Sequence, residues 1–569
     1  PLKLAWRYRA KHPPAPAWPP PAKQNFWREE FNLPARVTYD RAMHVVSDGN
    51  NVFFGSSADD QLHCLDLSTG ATRWVFFAEG PIRLAPTLWK NRVYFGSDDG
   101  HVYCLTSQQG RQLWKFRAGP RDRRIPGNGR IISAWPVRSG VIIDDGRIRF
   151  AAGLFPNQGT FQYLLDAQTG KQLASGTIAF SPQGYMTKRG NSLAIAQGRG
   201  PQVQLAKLQR AGKPLPMPSG KWAEQYPYSF VGAANSWIAG GAEQVAAFDS
   251  TSGKQIWRAQ VEGRAYGLAV TAGHLLVSTD RGNIYCFAPP AHPRSDPPPE
   301  PSQRHGDSSP TGPMSRLAQR LVQSTGADIG YALLLGSGNG RLAGELARRT
   351  RLRIICVDPV GKRVDQARQY LADKGHYGQV VVHRGRLSAL PYGSALFNLV
   401  IYVAPTGRAS VPAAIKKEIL RVLHPNSTAV LTDQTGTTWM ELHRAALAGT
   451  GDWTHMYANP ANTSCSLDKR VRDQLQLQWF GPPGPRDMVD RHHRTVPPLV
   501  CDGRLFIPGD NRVIGVDAYN GSLLWNVEVA DSRRIGALRD AGSMVATEDY
   551  LYVLARDRCY GLNARTGAS

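Results

Sequence analysis

Three glycines and one carboxylate carry the best-defined chemistry in this chain. The run LLLGSGNGRLA (333–343) places Gly336, Ser337, Gly338 and Gly340 directly after an apolar stretch. Asp358 follows Gly340 by 18 residues and ends a second apolar stretch, RIICVDP (353–359). Where a buried strand turns into a helix, glycines let the backbone approach a ligand closely. A carboxylate at the end of the next strand can accept both hydroxyls of a ribose. The spacing therefore points to a ribose-bearing ligand held at the carboxyl ends of strands.

The elements that must position these residues alternate. MSRLAQRLVQSTG (314–326) has helical periodicity, with Leu317, Leu321 and Val322 on one face. YALLL (331–335) reads as a buried strand, the glycine turn opens a helix, and GKRVDQARQYLADKG (361–375) is a further helix. QVVVHRG (379–385) and LFNLVIYV (396–403) read as strands, and IKKEILRVLHPNSTAVLTD (415–433) as helix, turn and strand. This alternation predicts a doubly wound parallel sheet of about five strands, without a closing antiparallel hairpin.

On either side of this segment the period changes from helical to alternating. LDLSTGATRW (65–74) recurs as LTSQQGRQLW (105–114), FDSTSGKQIW (248–257) and VDAYNGSLLW (516–525), each with Trp four residues after Gly. Strands such as NVFFGS (51–56) and RVYFGS (92–97) precede the turns. Repeats of about 40–46 residues with short strands predict four-stranded propeller blades. Turns fall at Gly70, Gly110, Gly170, Gly253, Gly521 and Gly567; a degenerate copy spans 191–212 and an interrupted one begins at His274, which makes eight blades. Ala174 stands where blade three should carry Trp. The Trp residues read as blade packing. LQLQW (475–479) is expected to complete the interrupted blade, and LKLAW (2–6) to close the ring against the last one, because unpaired sheet edges are costly.

The organisation expected is therefore an all-β eight-bladed propeller with an inserted α/β Rossmann-like domain. Its parts are 1–288, a Pro-rich linker at 289–313, an insert at 314–445 that hangs from this tether, and 446–569. The net charge of +24 is scattered, and no basic module interleaved with aromatics points to nucleic acid. No apolar run is long enough to span a membrane. The seven cysteines form no CxxC and no adjacent pair, which disfavours zinc, haem attachment and a disulfide framework. No G-x-S-x-G supports a serine nucleophile. Asp490, His492 and His493, in RDMVDRHHRTVPP (486–498), could bind a metal or anion. Adjacent histidines in a strand face opposite ways, so a hydrogen-bonded loop is the expectation there and no metal site is assigned.

The repeat resembles the PQQ-type propeller of quinoprotein alcohol dehydrogenases and of the cofactor-free outer-membrane assembly lipoprotein. DWTHMYANPANTSCS (452–466) is similar to the entry sequence of those propellers. The quinoproteins use a vicinal disulfide and acidic calcium ligands; the chain has no vicinal cysteines, so PQQ is not expected. The insert resembles a class I S-adenosylmethionine-dependent methyltransferase. LLLGSGNGRLA matches the first motif, VDP (357–359) the second, LPYGSALFNLVIY (390–402) the fourth-strand region and EILRVLHPNSTAVLTD the fifth-strand region. The resemblance implies S-adenosylmethionine bound by Gly336, Ser337, Gly338, Gly340, Asp358, Pro359, Arg386 and Leu387. Three positions where the family usually carries an acid hold Leu334, Arg386 and Asn398 instead, which weakens attraction for the sulfonium. Tyr402 and Pro405 lie where family members contact substrate, but no residue is nominated as catalytic.

Three functions follow. The first is a methyltransferase on a propeller that recruits a protein or envelope component. The second is a non-catalytic scaffold with a degenerate Rossmann insert, and the third a quinoprotein oxidoreductase. The propeller resemblance implies the periplasm or cell envelope, whereas a methyl donor implies the cytoplasm.

Overall fold

The computed structural model describes residues 2–19, 37–189, 192–197, 221–290, 312–404, 411–472, 474–482, 497–509, 511–532 and 544–569, and every structural statement concerns these. Pro405, Asp490, His492, His493, most of the degenerate repeat and most of the linker lie outside them. The chain forms two compact units. The first comprises 1–17, 36–122 and 132–307; the second comprises 18–35, 123–131 and 308–569.

The first unit is built of antiparallel meanders. Four-stranded sheets span Val45–Phe77, Thr87–Arg117 and Ile142–Thr177. Asn51–Gly55 is buried at every position because its sheet is covered on both faces, whereas the outer strand Thr72–Phe77 is largely exposed. In the first and third of these sheets an aspartate fixes the tight turn before the outer strand, whereas Thr106 stands there in the second. Asp66 accepts from the backbone N–H of Ser68 and Thr69, and Gly70 takes the left-handed conformation at φ +72°. Only glycine serves there, because the Trp6 ring lies 2.7 Å from where a Cβ would sit. Trp6 Nε1 also donates to Leu67 O at 2.7 Å. Trp74 meets Gly110, and Trp114 meets Gly170, in the same way. The Trp four residues after a glycine therefore packs on the glycine of the next sheet, not on its own turn.

This geometry corrects one expectation. Strand β1 (Lys3–Arg9) pairs antiparallel with β2 (Asn283–Ala288), in register from Lys3↔Ala288 to Arg9↔Asn283. LKLAW, not LQLQW, therefore completes the interrupted sheet. The reason is contact. From that edge Trp6 reaches Leu67 and Gly70, Tyr8 packs edge-on against Phe54 at 5.3 Å, and Arg7 binds Asn283 and Glu262. Residues 475–479 form no named strand, and Trp479 instead covers Gly521 and donates to Ala518 O at 2.8 Å.

The second unit holds a four-stranded sheet (Leu499–Glu528), a three-stranded sheet (Met544–Asn563) and the α/β insert. The insert contains α1 (Pro313–Thr325), β3 (Tyr331–Leu335), α2 (Arg341–Arg349), β4 (Arg353–Asp358), α3 (Gly361–Asp373), β5 (Val380–Arg384), β6 (Leu399–Val403), α4 (Ala413–Val422), β7 (Thr428–Thr432) and β8 (Trp439–His443). The sheet order is β5-β4-β3-β6-β7-β8, parallel except for β8. The expectation that the sheet stops after five strands is corrected by β8, whose register runs Thr428↔His443 to Thr432↔Trp439. Alternation is weak in WMELH, since both its faces stay largely exposed.

The insert is also docked, beyond any tether. Asn398 donates from Nδ2 to Asp517 Oδ2 at 2.9 Å, and its Oδ1 accepts from Asn520 Nδ2 at 2.9 Å and Tyr331 N–H at 3.0 Å. Asp517 is the turn aspartate of a repeat sheet, and its other oxygen accepts from the N–H of Tyr519 and Asn520. His424 Nε2 lies 3.3 Å from Asp517 Oδ2, and its ring stands edge-on to Tyr519 at 4.7 Å. Burial alone would lower the His424 imidazole, but the Asp517 carboxylate outweighs it and the net shift is upward.

Three outcomes test this account. Trp6→Ala should destabilise the first unit by about 3–5 kcal/mol, read by denaturant unfolding, while Trp479→Ala acts on the second unit. Asn398→Asp, which installs the acid usual in methyltransferases, should destabilise the second unit by about 1–3 kcal/mol, because it sets a second carboxylate against Asp517. The His424–Asp517 pair should contribute fully below the ordinary histidine value of 6.5 and fade as pH rises through the raised folded-state pKa. Stability of the second unit should thus decline as pH rises above 6.5, and His424→Gln should flatten that decline.

Candidate cofactor site

The glycine turn lies at the carboxyl end of β3, where the strand order reverses between β4 and β6. That reversal is where open α/β sheets leave a crevice for ligands. The three glycines do three different jobs there. Gly336, at φ +88°, donates its N–H to Val357 O at 2.9 Å, and a Cβ on it would lie 2.9 Å from Val403 O. It threads the chain between the neighbouring strands. Gly340, at φ +81°, would put a Cβ 3.1 Å from Ala367, so it lets α2 start close against α3. Gly338, at φ +53°, has nothing within 4 Å of its Cβ position. Packing does not require glycine at that place; only the left-handed backbone favours it.

Asp358 ends β4 beside this turn. Its carboxylate is buried, with Oδ1 accepting from Val360 N–H at 2.9 Å. Its Oδ2 has the Ser337 hydroxyl at 3.4 Å, a long contact that a ribose hydroxyl can replace. Glycine turn, Ser337 and Asp358 are therefore brought together as expected. Pro359 follows and is exposed. Arg386 is exposed and Leu387 half-buried, in the loop after β5, the next strand over from β4. These residues fit the sugar and backbone-facing parts of S-adenosylmethionine. They supply no carboxylate for its sulfonium beyond Asp358.

The three missing acids separate on inspection. Leu334 is buried in β3, between Cys356 and Ile401 in register. An acid there would be surrounded by apolar groups, and burial already raises the Cys356 thiol. Arg386 follows Gly385, whose N–H donates to the backbone carbonyl of Asp358 at 3.2 Å. Asn398 lies elsewhere: it pairs with Tyr331 at the amino end of β3, about 16 Å of strand from Gly336. Its loss of charge therefore leaves the cofactor crevice untouched, contrary to the expectation that all three weaken it. Tyr402 is buried in β6, and burial raises its phenol.

Two polar groups carried no sequence signal. Arg124 lies 3.0 Å from His383 Nδ1, which is 2.8 Å from the Tyr392 hydroxyl, so residues 124–127 brace the insert near β5. In the first unit, Asp98 is buried between Arg83 and Arg138. Burial alone would raise the Asp98 carboxyl, but the two guanidiniums outweigh it and hold it below the usual range. Among the described residues, no group of three or more His, Cys, Asp or Glu could hold a metal ion, and no helix is long and apolar enough to cross a membrane.

Comparison with known proteins places both parts. The profile described as a methyltransferase domain matches residues 332–426. A curated relative, the dehydrogenase subunit of a quinone alcohol dehydrogenase from Gluconobacter oxydans, is 26% identical over 137 residues, covering 21% of this chain and 17% of that subunit's length. Among solved structures, BamB from Moraxella catarrhalis is similar with TM-score 0.24 and 15% identity, over 52% of this chain and 100% of that one. Geranyl diphosphate C-methyltransferase from Streptomyces coelicolor A3(2) is similar with TM-score 0.19 and 17% identity, over 21% of this chain and 42% of that one. The profile described as outer membrane protein assembly factor BamB matches residues 17–211, 241–290 and 484–569, more than half of the chain. The chain belongs to that family of PQQ-like repeat proteins, and it carries a methyltransferase domain between its repeats.

Proposed function

We propose that the chain is an S-adenosylmethionine-dependent methyltransferase carried on a PQQ-like propeller that binds a protein or envelope partner. Residues 314–445 are the catalytic domain, and 1–288 and 446–569 the scaffold, with eight blades in all, six ahead of the insert and two behind it. The observation that carries this reading is Gly338. It is a left-handed glycine with open space above it, flanked by glycines that packing does demand and next to Ser337, whose hydroxyl lies 3.4 Å from Asp358 Oδ2.

When bound, the cofactor supplies a methyl group already activated on a sulfonium. The protein has only to bind, orient and exclude water. Asp358 would accept the ribose hydroxyls, the backbone of Ser337 and Gly338 would follow the amino-acid end, and Pro359, Arg386 and Leu387 would border the base. Tyr402, at the end of β6, would form the floor beside the acceptor. The acceptor itself is unassigned, and PQQ is not proposed as a cofactor.

The lack of acid at positions 334 and 386 favours a second reading, a non-catalytic propeller scaffold whose degenerate Rossmann insert binds no cofactor. Calorimetric titration of the full chain separates the two. With no acid beside the sulfonium, S-adenosylhomocysteine, which lacks that positive charge on sulfur, should bind at least as tightly as S-adenosylmethionine. Asp358→Asn should weaken both by about tenfold to a hundredfold. If neither nucleoside binds at about 1 mM, the methyltransferase reading is lost and the scaffold reading stands.

A further inference from the structure

The first unit contains a guanidinium with one buried edge left without a hydrogen-bond partner. Arg41 donates from Nη1 to the Tyr266 hydroxyl at 2.8 Å, and its guanidinium lies 5.5 Å from that ring's centroid. Its Nε and Nη2 are buried and have no hydrogen-bond partner. Those two nitrogens share one edge of the guanidinium, the edge that offers two parallel N–H groups to a carboxylate.

The same unit shows what that edge does when it is filled. Arg138 presents Nε and Nη2 to the two oxygens of Asp98, at 2.8 Å each. Arg83 binds Asp98 through Nε at 2.7 Å and Asp40 through Nη1 at 2.8 Å. Asp40 is committed through Oδ2 to Arg83 and to the N–H of Ala17. Of these three guanidiniums Arg41 is the one that keeps buried nitrogens without a partner, and Asp40 Oδ1 is likewise buried without one.

A second bare atom lies nearby. His44 Nε2 is buried without a partner. The His44 ring hydrogen-bonds the Tyr39 backbone carbonyl, which leaves Nε2 as the acceptor of a neutral imidazole; burial, the larger influence, lowers its pKa. His44 Nδ1 lies 3.1 Å from the Cβ position of Gly267, next to the Tyr266 that holds Arg41. Tyr185 stands edge-on to His44 at 6.0 Å. Tyr185 is 40% exposed, yet burial raises its phenol strongly.

We propose that Arg41 and His44 hold a small hydroxylated carboxylate through these bare nitrogens. The carboxylate takes the Nε–Nη2 edge of Arg41, and a hydroxyl of the same ligand donates to His44 Nε2. Buried polar groups are otherwise paired in folded proteins, and Arg41 has two donors that are not.

The test is thermal unfolding of the full chain with lactate or glycerate at about 10 mM, against lactamide, acetate and sodium chloride at matched ionic strength. Lactate or glycerate should raise the midpoint, acetate should do so less, and lactamide and chloride should not. Arg41→Gln should abolish the shift. Arg41→Lys keeps the charge but loses the fork, and should weaken binding by about tenfold. His44→Phe should reduce lactate to the level of acetate. Two results overturn the proposal: no shift with either hydroxy acid in the unaltered protein, or an undiminished shift in Arg41→Lys, which also serves should Arg41→Gln not fold.

Discussion

The packing of a tryptophan on the next sheet's glycine is the constraint from which the rest of the repeat follows. An indole is large, and stacking it on a backbone turn needs a residue with no side chain at the contact. The turn also needs a left-handed residue, so glycine satisfies both demands at once. The indole N–H would be costly if buried unpaired, and Trp6, Trp74, Trp479 and Trp525 each give it to a carbonyl of the neighbouring turn, at 2.7–3.1 Å. The aspartate or asparagine that opens the turn fixes the same backbone from the other side, as Asp66, Asp166, Asp249 and Asn563 do. One contact thus sets the turn, the spacing of the two residues and the identity of the neighbour.

The insert exploits this turn without disturbing it. Asp517 has two oxygens, and the turn needs only one. Oδ1 fixes Tyr519 and Asn520, and Oδ2 receives Asn398 and faces His424. A neutral amide suits position 398 better than an acid, since it must donate to a carboxylate while accepting from Tyr331 and Asn520. Gly330, at φ +106°, is required for the same reason: a side chain there would run into Asn398. The departure at 398 is thus explained by docking, and says nothing about catalysis.

What the sequence made legible follows from how local each signal is. The glycine turn and Asp358 were readable because their roles are set within one βαβ unit. The repeat was readable because each copy restates its turn chemistry. Which segment fills an open edge was not readable, because LKLAW and LQLQW carry the same pattern and the choice depends on where Trp6 can reach. The strand end occupied by Asn398 was hidden too, because a family position gives an order along the chain and not a distance from the crevice. Strand β8 was missed because WMELH is exposed on both faces and lacks alternation. Arg41 carries no pattern at all; its meaning appears only when its hydrogen bonds are counted.

Electrostatics then divides the two candidate sites. In the insert, geometry is retained and charge is altered: Gly336, Gly338 and Gly340 keep separate positions that only glycine fills without strain, while Leu334 and Arg386 replace acids. Left-handed glycines are replaced at a cost to folding, so Gly336 and Gly340 would persist even in a domain that bound nothing. Gly338 is different, because open space surrounds its Cβ position and only its backbone angle resists substitution. An L residue at φ +53° is strained but tolerated, as Asn128 at +52° and Asn511 at +53° show in the same unit. What marks this crevice for a ligand is therefore a glycine that folding could exchange for asparagine, and a carboxylate whose second oxygen is held only by a long contact to Ser337.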